Sequence, residues 1–100
     1  MTTGNSAFDD LIHPRQRLMV CATLAAVDEM RFDALAATLP MNTPALSKHL
    51  AKLAGAHYVS LRADDRDSRR QWVSLTAAGR RAYTGHLRAL LKLGNRSRPA

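Results

Sequence analysis

Two prolines four residues apart, Pro40 and Pro44, interrupt a stretch whose apolar residues otherwise keep helical spacing, and this restricts the fold more than any other feature of the chain. A proline ring lacks the amide donor and clashes with the preceding turn, so no single helix runs through Pro40, whereas Pro44 suits a helix's first turn. The stretch therefore reads as two helices joined by a turn at Pro40-Met41. The first is short, carries Leu35, Ala36 and Leu39, and has Asp33 as its expected N-cap. The second, about 43–54, is capped by Asn42 or Thr43 and sets Leu46, Leu50 and Leu53 on one face at i, i+4, i+7. Its other side shows Thr43, Ala45, Ser47, Lys48, Ala51 and Lys52.

The flanking segments have their own periods. Phe8, Leu11 and Ile12 recur at helical spacing ahead of Pro14, and a long helix is expected over 14–29. It is apolar on two sides, through Leu18, Cys21, Ala22 and Ala25 and through Val20, Leu24 and Val27. One side suits the domain's own core and the other the N-terminal turn or a second subunit. Beyond Gly55 the period becomes two: Val59 and Leu61, then Val73 and Leu75, separated by the charged stretch 62–70, which predicts a hairpin with a long polar tip. Trp72 falls on the opposite side of its strand from Val73. Thr76 caps a last helix with the stripe Tyr83, Leu87, Leu90 and Leu91, and Arg80-Arg81 reads as a solvated face. The fold class is mainly α with a small β-hairpin.

One domain is expected over 7–93, with a flexible start at 1–6 and a flexible basic tail at 94–100. A chain of 100 residues buries one modest core, and an identical partner would enlarge the buried apolar area. A homodimer follows as an expectation, with Phe8, Leu11, Ile12, Val20, Leu24, Tyr83, Leu87, Leu90 and Leu91 as its interface.

The formal charge of +7 favours an anionic partner. It is unevenly spread: residues 1–33 hold three arginines against five acids, whereas 34–100 hold twelve Lys/Arg against three Asp. The opening residues lack the basic and apolar regions of a secretory signal, and no apolar run approaches the roughly 20 residues of a membrane span. With Cys21 alone, a cytoplasmic setting is expected. The acids at Asp9-Asp10, Asp28-Glu29 and 64–67 read as helix ends or loop, and no nucleophile stands with a base, so no enzyme is expected. His13, His49, His57 and His86 lack ligand spacing, so neither metal nor cofactor is expected. His49 is assigned to packing or a phosphate bond and His86 to a dimer contact.

A short helix, a tight turn and a second helix with small polar and basic residues outward is the arrangement that lays its second helix in a DNA major groove about 12 Å wide. The candidate contacts there are Thr43, Ala45, Ser47, Lys48 and Lys52, with Thr43, Ser47 and Lys48 reading base edges and Lys52 on a phosphate. Two motifs extend this reading. Asp64, Asp67, Arg69, Val73, Leu75, Thr76 and Gly79 fit D-x-x-D-x-R-x-x-x-V-x-L-T-x-x-G, which resembles the wing and following helix of MarR-type regulators. Leu46-Ser47-Lys48-His49-Leu50, followed by Leu53 and Tyr58-Val59, is similar to that family's recognition helix. The likeness covers about 11–91 and extends to the related ArsR-like folds.

The resemblance implies a winged helix-turn-helix whose wing, 62–70, meets a minor groove. Arg69 would reach in, held by Asp67, while Arg62, Arg66 and Arg70 touch phosphates. It implies a sequence-specific transcriptional regulator, a homodimeric repressor on a pseudo-palindromic duplex with half-sites about 34 Å apart. Three departures stand out: the terminal helices are short for that family, leaving any small-molecule effector open; His57 stands where the family has glycine; and the paired cysteines of the arsenic-repressor metal site are missing. The alternatives are a non-specific nucleoid-associated or RNA-binding protein, for which charge suffices, and a protein-interaction module that has lost DNA binding.

Overall fold

The computed structural model describes residues 8–97; the expected flexible start at 1–6 lies outside the described residues. The element order is α1 (Arg15–Ala25), β1 (Met30–Arg31), α2 (Phe32–Thr38), α3 (Thr43–Gly55), β2 (Val59–Ala63), β3 (Gln71–Leu75) and α4 (Ala77–Ser97). Among the described residues, four helices surround a small antiparallel sheet of order β1-β3-β2. Of the stretch read as a tail, residues 94–97 continue α4 and 98–100 lie outside the described residues.

The proline punctuation sets α2 and α3 as expected. Asn42 is the N-cap of α3, its side-chain oxygen accepting the Ala45 N–H at 2.8 Å, and Pro44 sits in the first turn. Asp33 is not the cap of α2. Arg31 holds that position in extended backbone, and Asp33 in the first turn bonds the Arg31 guanidinium instead. The expected helix over 14–29 ends at Ala25, with Pro14 as its N-cap. Its last turn tightens, Val27 N–H bonding Leu24 O at 3.3 Å, and the chain then turns into β1, which pairs Met30 with Val73 and Arg31 with Trp72. Arg80 is no idle surface charge: its guanidinium donates to Ala25 O at 3.2 Å and Val27 O at 2.7 Å, placing a cation on the carbonyls that α1 leaves open.

α3 ends with His57 in the left-handed region, φ 64°. His57 N–H bonds Ala54 O and Tyr58 N–H bonds Leu53 O, both at 2.9 Å, the paired closure in which glycine is usual. The chain thus makes the family's turn with a histidine. The hairpin pairs Val59 with Leu75 and Leu61 with Val73. Val59, Val73 and Leu75 are buried, while Leu61 stays 39% exposed.

The core gathers Ile12, Val20, Cys21, Leu24, Leu35, Leu39, Leu46, Leu50, Leu53, Val59, Val73 and Leu75. Burial of one such side chain contributes roughly 1.5–3 kcal/mol. This corrects three of the expected dimer contacts. Ile12, Val20 and Leu24 are fully buried within the protomer, in one core with the leucines of α2 and α3 and the sheet residues Val59, Val73 and Leu75. Phe8, Leu11, Tyr83, Leu87 and Leu90 are half-buried and Leu91 is 69% exposed, so that part of the expected surface remains open.

His86 is also corrected from a dimer contact to a core group, fully buried on α4. Its Nδ1 accepts the Asp9 N–H at 3.0 Å, its Nε2 lies 3.3 Å from His13 Nδ1, and Phe8 meets its ring edge-on. Asp9 in turn accepts the Leu11 and Ile12 amides and the Tyr58 hydroxyl. That hydrogen bond above all, with burial, pushes the Tyr58 hydroxyl up to about 12.

Candidate nucleic-acid interface

The Leu46, Leu50 and Leu53 stripe anchors α3 and fixes which residues face out. Thr43, Ser47, Lys48, Ala51 and Lys52 are exposed and Ala45 is half-buried at the same face. Neither Lys48 nor Lys52 has an ion-pair partner among the described residues. His49 points the other way. Its Nε2 bonds Gln16 Oε1 at 2.8 Å and its Nδ1 lies 3.4 Å from Arg17 Nη1, tying α3 to α1. Burial first, then Arg17, Lys52 and Lys48, hold its pKa below the usual histidine range, so it is a neutral strut.

The wing tip is folded around two aspartates. Asp64 Oδ2 accepts the Arg66 and Asp67 amides at 3.1 Å each, and Asp64 Oδ1 accepts the Trp72 indole N–H at 2.8 Å. Asp67 Oδ1 accepts both the Arg69 amide and its Nε at 3.1 Å, and Oδ2 takes Nη2 at 3.3 Å. The Trp72 bond holds the Asp64 carboxyl below its ordinary value, and the Arg69 guanidinium does the same for Asp67. Arg69 is nonetheless 89% exposed, so its aspartate sets its direction without covering it.

The other wing arginines differ from their common assignment to phosphates. Arg62 is paired with Glu29 at 2.7 Å and lies 5.5 Å over the Trp72 ring. Arg70 stands between Asp67 at 3.6 Å and Asp33 at 3.9 Å. Arg66 alone among them has no side-chain partner among the described residues. An open cleft lined by Phe32, Asp33, Ser47, Arg69, Arg70 and Gln71 joins the wing root to α3, so Ser47 and Arg69, distant in sequence, face one space. Sequence reasoning missed Glu29 and Asp64 as supports of this surface and left Trp72 without a partner. An Asp eight residues before a Trp across a hairpin was the available signal. Among the described residues, no cluster of three or more His, Cys, Asp or Glu could hold a metal, and no helix is long and apolar enough to cross a membrane.

A helix with an anchored back and a short-polar and basic front, beside a hairpin presenting an oriented arginine, defines a winged-helix DNA-binding module. The family described as winged helix DNA-binding domain matches residues 16–93, and the chain belongs to it. No curated protein matches the sequence. Among solved structures, the transcriptional regulator homologue from Pyrococcus horikoshii OT3 superimposes with TM-score 0.80 at 20% identity, over 85% of each chain. The transcriptional regulator PA4135 gives 0.75 at 24% identity, over 91% of this chain and 70% of its own. The S. aureus MepR–DNA complex gives 0.76 at 17% identity, over 93% of this chain and 77% of its own. These neighbours share the fold, and the winged helix-turn-helix read from the sequence holds.

Proposed function

We propose that the protein is a sequence-specific transcriptional regulator that binds double-stranded DNA as a homodimer and represses by occupying a promoter in the cytoplasm. The observation that carries this reading is the cleft shared by Ser47 and Arg69, which makes α3 and the wing one continuous surface. On it, Thr43, Ser47 and Lys48 read base edges in the major groove, with Ala45 close against them, and Lys52 meets a phosphate. Arg69 enters the minor groove with Asp67 behind it. Arg66 is the wing's phosphate contact, since Arg62 and Arg70 would have to leave carboxylates to serve as such. The DNA-bound MepR structure supports the partner, and the outward half of α4, with Leu87, Leu90 and Leu91, supports a second copy.

The test is selection of binding sites from random duplex DNA at about 0.15 M salt, where weak electrostatic association is largely suppressed. Recovery of a two-fold symmetric motif with half-sites about one helical turn apart is expected. Recovery of no motif favours the non-specific nucleic-acid reading. On the selected site, Arg69→Ala and Lys48→Ala each weaken binding by about tenfold or more, and Lys48→Ala also relaxes base preference. Wild-type binding by both variants would remove the interface.

A further inference from the structure

The wing's two outward arginines sit on the seven-residue loop 64–70 between β2 and β3, and a loop of that length has no intrinsic reason to present them in one orientation. The structure supplies a reason. Glu29, next to β1, pairs with Arg62 on β2 at 2.7 Å, and Arg62 covers the ring of Trp72 on β3. Trp72 reaches forward from the sheet and donates its indole N–H to Asp64. The second oxygen of Asp64 holds the Arg66 and Asp67 amides, and Asp67 holds the Arg69 backbone and guanidinium. Each link passes orientation from the sheet outward. The indole donor joins the sheet to the tip by a direct side-chain hydrogen bond at 2.8 Å, beside the longer ion pairs of Arg70 with Asp33 and Asp67 and the backbone bond of Asp64 N–H to Arg70 O at 2.8 Å.

We propose that Trp72 is the positioning residue of the wing: through Asp64 it fixes the tip backbone from which Arg66 and Arg69 are aimed at DNA. This rests on the DNA-binding reading above. Trp72→Phe keeps an aromatic ring beneath Arg62 and loses the donor together with the five-membered ring that carries it. A charged acceptor such as Asp64 makes that donor worth more than a neutral pair would be. Trp72 touches no DNA in this scheme, so its whole effect must pass through the two arginines.

The experiment compares wild type, Trp72→Phe, the pair Arg66→Ala/Arg69→Ala, and the triple variant on the selected duplex, with amide hydrogen exchange on free wild type and Trp72→Phe. Trp72→Phe is expected to melt in one cooperative transition at a lower temperature, to exchange faster at the Arg66 and Asp67 amides, and to bind about tenfold more weakly at a temperature where both proteins are folded. In the background lacking both arginines it is expected to cost nothing further, because a positioning residue has nothing left to aim. Equal loss in both backgrounds, or wild-type affinity in Trp72→Phe, overturns the proposal, and so does unchanged exchange at Arg66 and Asp67. If the wild type selects no motif, the DNA-reading function itself fails. A wild type that selects its site while Trp72→Phe binds equally well fails only the role of Trp72.

Discussion

Gly79→Ala sets helix propensity against packing, and the two predict opposite signs. Gly79 lies in the first turn of α4, where alanine is favoured over glycine by up to about 1 kcal/mol. A Cβ there would stand 2.1 Å from the Tyr58 carbonyl oxygen and 2.9 Å from its carbon. Ordinary contact begins at 3.4 Å, so the oxygen must retreat by about 1.3 Å. Tyr58 cannot yield cheaply. Its oxygen accepts the Thr76 N–H at 3.0 Å, its own N–H closes α3 on Leu53, and its hydroxyl bonds Asp9. Overpacking at about 1–3 kcal/mol and the strained hydrogen bond at about 1 kcal/mol exceed the propensity gain. The net is a destabilisation of about 1–3 kcal/mol, a fall in Tm of roughly 5–20 °C for a domain of this size. Thermal melts followed by circular dichroism at one protein concentration measure it. Gly55→Ala is the control, because nothing lies within 4 Å of its added Cβ, and it melts at or slightly above wild type. A Gly79→Ala variant as stable as wild type would refute the argument from close approach.

His57→Gly removes a side chain from a left-handed position and is expected to raise stability by about 1 kcal/mol in urea titration; an unchanged or lower midpoint would mean that the imidazole supports the turn. Burial first, and Asp9 second, push the Cys21 thiol up to about 11, so alkylation by iodoacetamide at pH 8 is expected only at the rate of unfolding. Labelling at the speed of a free thiol would show that α1 is not packed. Burial and then His13 hold His86 below the usual histidine range, so below pH about 6.5 the unfolded chain binds a proton that the folded ring refuses. Stability is therefore whole above that pH and falls as pH drops through the window beneath it. Urea midpoints between pH 7.5 and 5 should show this decline, with a shallower slope in His86→Gln; a flat profile in the wild type contradicts it.

What the sequence made legible were features with a period or a covalent cause. Pro40 and Pro44 mark helix boundaries through ring chemistry, Leu46, Leu50 and Leu53 repeat along one face, and Val59, Val73 and Leu75 alternate on either side of a charged interruption. β1 escaped because a two-residue strand has no period; its pairing with β3 makes it a strand. His86 escaped because a polar residue inside an apolar stripe looks like a surface residue until its partners, 73 and 77 residues away, are known. The two apolar sides of α1 raised the question of what covers the second. The choice of a partner subunit for Val20 and Leu24 failed because the protomer's own core, which also holds Ile12, buries both.

The same limit governs the candidate site. Residue identities in α3 and the wing were readable, since exposure follows from the helical face, but ion pairing was not, since Glu29 and Arg62 are 33 residues apart. Counting Lys and Arg gives the second part of the chain a large positive balance. The structure divides that balance into arginines held by carboxylates, Arg62 and Arg70, a caged but exposed Arg69, an Arg80 held by the carbonyls after α1, and cations without an ion partner among the described residues: Lys48 and Lys52 on α3, Arg66 at the wing tip, and Arg81, Arg88 and Lys92 on α4. Paired arginines stiffen the sheet and wing root and add little field at a distance, because their partners cancel them within a Debye length. The remaining charge lies on the front of α3, at the wing tip and along α4.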